Sequence, residues 1–275
     1  MSVAESHESV LRFDHVSVSF DGEPALLDVS FDARAGHSHV ILGAAGSGKT
    51  VLLKTAMGLV KPQDGKVYVF GQDITTMNER ALFAIRSKIG MLFQESALFD
   101  SLNIEENVAY PLLNQKSIDF PRSQVLPRVK QALEFVELGN TLGKFPNELS
   151  GGMRRRAAIA RAVVTEPPLQ MYDSPTAGLD PITAHTIMAL LIKERDVSKA
   201  TTLMVTHRYQ DGNLMANFRY NSDQGRLEPA REGVREPDQT TFMVMKEGRL
   251  IFEGDQDELE ASHDPYITKF YKQRT

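Results

Sequence analysis

An α/β fold built on a largely parallel sheet is what this 275-residue sequence predicts, from three observations. Short apolar runs alternate with helical stretches, the order that produces a parallel sheet covered by helices. The run His39-Val40-Ile41-Leu42 reads as a buried strand, Gly43 to Thr50 as a glycine-rich loop, and Val51 to Met57 as the start of a helix. The composition, 41% hydrophobic and 24% charged, is that of an ordinary globular chain long enough to bury a core.

The loop is the most informative stretch. Gly43-Ala44-Ala45-Gly46-Ser47-Gly48-Lys49-Thr50 fits the pattern G-x-x-x-x-G-K-[ST] at every fixed position, in the strand–loop–helix setting that the pattern requires. Its glycines let successive backbone N–H groups converge on one anion, helped by the positive end of the helix. Lys49 is placed to reach the β- and γ-phosphates of a nucleotide, and the Thr50 hydroxyl to ligate Mg²⁺.

Bulk properties exclude other classes. A net charge of −5 gives no electrostatic reason to expect nucleic acid. The absence of cysteine removes disulfides and thiolate metal sites, which fits a reducing compartment. Residues Met1 to Val10 lack a basic-then-apolar leader pattern, and no apolar run approaches the ~20 residues needed to span a bilayer. A membrane role is therefore expected through a partner subunit.

In chain order, Leu11 to Phe20 roughly alternate, and the turn Asp21-Gly22 leads to a strand near Ala25 to Phe31, an antiparallel hairpin. Phe20 ends the first strand and fits two readings, a ring stacked on adenine or a cover for the core. Further strands are expected at Val67 to Phe70 and Ile89 to Phe93, with a helix around Asn78 to Arg86 between them. From Gln94 to Arg161 helical spacing dominates, as in Val125, Val129, Leu133 and Val136, and a helical insertion is expected. Leu169 to Tyr172 and Thr201 to Val205 return to buried strands around a helix from Ile182 to about Arg195. Thr241 to Lys246 and Arg249 to Phe252 form a hairpin about Glu247-Gly248, and two short helices close the tail, Asp255 to Tyr271. Between them, Arg208 to Asp238 is polar and weakly periodic, and is expected to lack regular structure.

A second constellation narrows the function. Leu149-Ser150-Gly151-Gly152-Met153 resembles the LSGGQ-type signature of ATP-binding cassette (ABC) ATPases, with Met153 where Gln is usual. Taken alone, Ser150 before two glycines also reads as an ordinary helix cap. Further matches follow in family order from Phe20 to His207. The resemblance implies that Phe20, Gly43 to Val51 (Gly43, Ala44, Ala45, Gly46, Ser47, Gly48, Lys49, Thr50, Val51), Ser150, Gly151, Gly152 and the D-loop residue Asp180 contact ATP. It further implies that Gln94, Thr50 and Asp173 serve Mg²⁺, Gln94 alternatively the attacking water, and that His207 touches the γ-phosphate. His37 and His39 are expected to be structural donors only. The resemblance also implies the architecture, a P-loop NTPase (RecA-like) core with an antiparallel β-subdomain and an inserted α-helical subdomain. The single ABC domain, 1–275, then divides into 10–93, 94–161 and 162–275.

The resemblance implies partners too. Two copies are expected to pair head to tail as a homodimer, with an integral membrane permease docking a short helix near Gln94 to Asn107. The chain would thus be peripheral on the cytoplasmic face of the membrane. Ser150 to Arg156, the stretch Phe93-Gln94 through Leu102 and Asp264-Pro265-Tyr266 look like the Mla/Mce group, whose ATPases drive phospholipid or hydrophobic-substrate traffic, with lipid-binding Mce/Mla-type components as further partners. An ATPase of a small-solute importer and a nucleotide-gated clamp with little turnover are the competing readings.

Two departures matter. The family carries a glutamate after the Walker B aspartate that polarises the attacking water; here that position is Ser174. Serine is no carboxylate base near neutral pH, so tight ATP binding with slow hydrolysis is expected unless another acid substitutes. Glu95 is a candidate substitute, against the alternative of a solvated loop glutamate. The second departure is the segment 208–238, either an added partner surface or a tolerated insertion.

Overall fold

The computed structural model describes residues 9–115, 120–230 and 240–272. The chain begins with β1 (Ser9–Phe20), β2 (Glu23–Arg34), β3 (Ser38–Gly43), α1 (Lys49–Ala56), β4 (Asp64–Val69), β5 (Gln72–Asp73) and α2 (Glu79–Arg86). It continues with β6 (Ile89–Leu92), α3 (Ile104–Asn114), α4 (Arg122–Phe135), α5 (Gly151–Val163), β7 (Leu169–Asp173) and α6 (Pro181–Ser198). After these come β8 (Thr201–Thr206), α7 (Tyr209–Asn217), β9 (Phe218–Asn221), β10 (Arg226–Pro229), β11 (Thr240–Lys246) and β12 (Arg249–Gly254). The last two helices are α8 (Gln256–Ala261) and α9 (Pro265–Tyr271). The chain divides into two units, one of Met1–Ile85, Ala200–Ala216 and Glu236–Thr275, the other of Arg86–Lys199 and Asn217–Arg235.

The first unit holds an antiparallel sheet in the order β2-β1-β4-β5. Its core face is legible in the alternation of β1: Leu11, Phe13, Val16 and Val18 are buried, and Phe13 stacks on its cross-strand neighbour Phe31 at 4.9 Å between centroids. Three two-residue turns each place both residues at positive φ: Asp21-Gly22 (50° and 87°), Phe70-Gly71 (51° and 73°) and Glu247-Gly248 (48° and 78°). That geometry matches the twist of the flanking strands, which is why the tight hairpins close there. In the same unit β3 pairs in parallel with β8 on one side and β11 on the other, and β12 adds antiparallel to β11. Every residue of β3 and β8 is buried, which explains their near-continuous apolar runs. Helix α1 lies against β2, β4 and β8.

The second unit pairs β6 in parallel with β7, from Ile89↔Leu169 to Leu92↔Tyr172. Helices α3, α4 and α5 pack on one another, and Val108, Leu112, Val125, Val129, Leu133 and Val136 are buried at the helical spacing seen in the sequence. A capping box fixes the start of α3: the Asn103 side chain accepts from the Glu106 N–H, and the Glu106 carboxylate from the Asn103 N–H, both at 2.8 Å.

The expectation of no regular structure from Arg208 to Asp238 is corrected over its described part. Residues 209–217 form α7, and β9 and β10 form an antiparallel ribbon closed by Asn221↔Arg226. The Asn221 side chain accepts from the Asp223 and Gln224 N–H groups at 3.0 and 3.2 Å, a local turn that competes with longer-range pairing. The ribbon is tied to α6, where Asp196 accepts from the Tyr220 N–H at 2.7 Å and Arg195 donates to the Phe218 carbonyl at 2.8 Å. Helical periodicity was weak because these contacts, rather than a continuous apolar stripe, hold the segment in place. Positions 231–238 lie outside the described residues.

His39 also departs from expectation. Its Nε2 accepts from the Arg34 N–H at 3.1 Å, so the ring proton sits on Nδ1, which finds no partner among the described residues. Burial pushes its pKa down to about 4 from 6.5. The unfolded ring therefore takes up a proton near pH 6.5 while the folded ring stays neutral until about pH 4. The stabilising contribution is complete above 6.5 and is lost as pH falls to about 4, a change of roughly 3 kcal/mol. Denaturation of the His39→Gln variant at pH 7 and pH 4.5 checks this. The loss of stability on acidification shrinks by about 2–3 kcal/mol relative to wild type; an unchanged loss refutes the assignment.

Candidate nucleotide site

In the first unit the glycine loop leaves β3 and enters α1 through Gly48, whose φ of 103° no other residue type adopts readily. A Cβ there would lie 2.4 Å from the Ala25 carbonyl oxygen, and one on Gly43 would lie 2.4 Å from Ser47 Oγ and 2.8 Å from the Met245 carbonyl oxygen. Glycine at 43 and 48 thus lets the loop pack closely against β2 and β11. The buried Lys49 side chain donates to the Gly43 and Ala44 carbonyls at 2.8 and 2.7 Å and to Ser47 Oγ at 3.2 Å, which puts a cation at the centre of the curl. Ala44, Ala45 and Gly46 are exposed, as is Thr50.

His207 follows β8 directly and is exposed. Thr206 Oγ1 accepts from the Arg208 N–H at 3.1 Å and donates to the buried Asp211 at 2.9 Å, so the chain turns sharply at His207 and holds the imidazole out. His207 shares a cavity of about 460 Å³ with Ala44, Ala45, Arg208, Tyr266 and Lys269. The structure therefore brings the loop and His207 to one cavity, far apart though they are in sequence. Phe20, at 49% exposed, covers no core.

In the second unit β7 ends at the buried Asp173. Ser174 follows at φ 47° and donates from its hydroxyl to Asp173 Oδ1 at 3.2 Å, while its carbonyl accepts from the Ala177 N–H at 3.0 Å. Asp180 caps α6, accepting from the Ile182 and Thr183 N–H groups at 3.1 and 3.0 Å; a hydrogen bond from the Thr183 side chain, and then these backbone bonds, hold its carboxyl below the usual range. Ser150 caps α5 by accepting from the Met153 N–H at 3.3 Å, so it does make the helix cap. Gly151 has open space around it, whereas a Cβ on Gly152 would strike Thr183 at 2.6 Å, so glycine there lets α5 and α6 approach.

Gln94 and Glu95 are exposed just after β6. The sequence reading missed what holds them. Arg155 donates to the Phe93 carbonyl at 2.8 Å, and Arg161 donates to the Ser96 and Ala97 carbonyls at 2.9 and 2.8 Å. Ser96 and Ala97 both have positive φ, 66° and 48°, a costly conformation for non-glycine residues that the guanidinium pins. Burial lowers the pKa of both arginines, though Asp173 partly offsets the effect at Arg155.

A strand–loop–helix with the glycine pattern and its central lysine marks a nucleotide-binding cassette. The chain belongs to the ABC transporter family, whose model, described as "ABC transporter", matches residues 26–177. It is 31% identical over 252 residues to the intermembrane phospholipid transport system ATP-binding protein MlaF of Haemophilus influenzae, covering 91% of this chain and 86% of that protein. It is 39% identical over 189 residues to the probable ribonucleotide transport ATP-binding protein mkl of Mycobacterium leprae, covering 69% of this chain. The chain spans about half of that relative's length, 54%. Among solved structures, the ATP-binding cassette MJ0796, in a dimeric post-hydrolysis state bound to ADP and Pi, superposes with a TM-score of 0.74 at 27% identity. That match covers 89% of this chain and 98% of the other.

ABC cassettes bind ATP with Mg²⁺, and the residues present fit that group: Ala44, Ala45 and Gly46 are exposed around the Lys49 side chain at the centre of the loop. Among the described residues no cluster of three or more His, Asp or Glu could hold a metal by itself.

Proposed function

We propose that this chain is the ATP-hydrolysing subunit of a transporter that moves phospholipid or another hydrophobic cargo. The observation that carries the lipid reading is the match to MlaF along 91% of the chain and 86% of that protein, where the mkl match stops at 54% of its relative. Lys49 and the loop amides would hold the phosphates, Thr50 and Asp173 would serve the metal, Gln94 would orient metal or water, and His207 would meet the γ-phosphate. Phe20 would stack on the base. Bound Mg²⁺ supplies charge neutralisation at the transferred phosphoryl group; the chain's own residues position it.

Two copies would pair head to tail, each loop facing the other copy's Ser150-Gly151-Gly152. A permease would seat a short helix on the second unit, where a groove of about 260 Å³ is lined by Phe93, Phe99, Tyr110 and Arg161. Phe99 and Tyr110 each expose 40% of their surface there. Among the described residues no helix is long and apolar enough to cross a membrane; the chain would sit on the cytoplasmic face through that permease.

A second reading, import of a small solute, is supported by 41% identity over 66% of the chain to the methionine import ATP-binding protein MetN of Latilactobacillus sakei. The purified complex with its permease separates the two. Phospholipid found on the permease by mass spectrometry, with turnover raised by that lipid, is the expected result; a lipid-free permease stimulated by a soluble solute overturns the lipid reading. The chain has no cysteine, so Ala45→Cys and Gly151→Cys report on pairing in the same preparation. They cross-link between copies in saturating MgATP if the pairing is head to tail.

A further inference from the structure

The parallel ladder between β3 and β11 runs from Ser38↔Thr240 to Gly43↔Met245 and stops where the glycine loop begins. Two backbone groups are left at its end, the Met245 carbonyl and the Ala44 N–H. One side chain takes both. The hydroxyl of Tyr266, on α9, accepts from the Ala44 N–H at 3.0 Å and donates to the Met245 carbonyl at 3.0 Å, across 222 residues of sequence in the first case.

The ring that delivers this hydroxyl is itself fixed. Asp264 caps α9 by accepting from the Tyr266 and Ile267 N–H groups at 2.7 and 3.3 Å. Lys246 Nζ lies 5.4 Å from the ring centroid, and Phe270 meets the ring edge-on at 5.4 Å. Ala44 is thereby gripped from two sides, at its N–H by Tyr266 and at its carbonyl by Lys49. If Lys49 turns to a phosphate, Tyr266 is the grip that stays.

We propose that Tyr266 is a positioning residue for the phosphate loop, so that the C-terminal helix sets how well the loop is preorganised for nucleotide. The proposal rests on the nucleotide-binding reading above. A loop whose first residue is held loses less freedom when its amides converge on an anion, and that saving appears as affinity.

The test uses the full chain and the variant Tyr266→Phe, which keeps the ring and its packing but removes the hydroxyl. Binding of a fluorescent ATP analogue with Mg²⁺ weakens about fivefold, the scale of one lost hydrogen bond. Without nucleotide, amide hydrogen exchange rises across 44–48 while β3 and β11 keep wild-type protection. In the ATPase assay KM rises and kcat holds. Affinity and loop exchange equal to wild type overturn the proposal, and so does a uniform rise in exchange through β3 and β11, the mark of lost packing. Lys49→Ala is measured alongside. If wild type binds the analogue no better than Lys49→Ala, the nucleotide reading itself fails, an outcome distinct from the failure of Tyr266.

Discussion

Replacing Ser174 with glutamate raises the steady-state ATPase rate of the assembled complex by about 10²-fold or more, the lower end of what a positioned general base supplies. The backbone is ready for it. Ser174 already sits at φ 47°, so the left-handed conformation, which costs about 1–2 kcal/mol in any L-residue, is tolerated in the native chain. Its neighbour Asp173 ends β7 in a buried position, and the serine hydroxyl spends its hydrogen on the Asp173 carboxylate at 3.2 Å. A neutral hydroxyl, whatever it donates to, is too weakly basic to take a proton from water near neutral pH. Phosphate release at saturating MgATP measures the effect, with Ser174→Ala as the control that removes the hydroxyl without adding a base. An unchanged rate in Ser174→Glu means that another group already does the work. Glu95, exposed beside Gln94, is then the residue to test, and Glu95→Gln would lower the rate.

Asn107→Ala destabilises the second unit by about 2–4 kcal/mol, since several buried groups lose their partner at once. Asn107 is 0% exposed. Its Oδ1 accepts from the Phe99 N–H at 2.8 Å, and its amide donates toward the Phe99, Leu102 and Asn103 carbonyls at 3.0, 2.9 and 3.0 Å. Two hydrogens serve three carbonyls, so one bond is shared. This single side chain shapes the loop 99–103 and presents Phe99, whose ring meets Tyr110 at 4.7 Å. Asn107→Asp keeps the volume and the acceptor but loses both donors, and is expected to be nearly as damaging. Chemical denaturation gives the magnitude; a midpoint within error of wild type in both variants refutes the role. Loss of permease binding at temperatures where the variant stays folded would show that the loop, rather than the fold, was what the permease needed.

The parts of this molecule written in local sequence were readable in advance. Asp21-Gly22 and Glu247-Gly248 carry their turn type in their glycines, and Val125, Val129 and Leu133 carry their helix face in their spacing. The loop from Gly43 to Thr50 declares itself because backbone curvature, cation and hydroxyl occur within eight residues. What escaped was chemistry made by tertiary approach. Nothing near Ser96-Ala97 signals left-handed backbone, because neither residue is glycine; the guanidinium of Arg161, 64 and 65 residues away, makes it tenable. Tyr266 looked like part of a subgroup motif, and its meeting with Ala44 depends on where β11 ends. The ribbon at 218–229 was missed for the same reason, since its ties run to Arg195 and Asp196 on another helix.

The arginines of α5 have a mechanical consequence. Thirteen residues of helix make a rod about 20 Å long, stiff over its whole length. One tip is the Ser150 cap, and near the other Arg161 is bolted to the carbonyls that follow Gln94. A tilt of about 5° at the bolted end swings the serine tip through about 2 Å, roughly the difference between a hydrogen bond and none. If the permease and the second copy bind as proposed, pressure on the aromatic groove would alter the reach of Ser150 through that one angle.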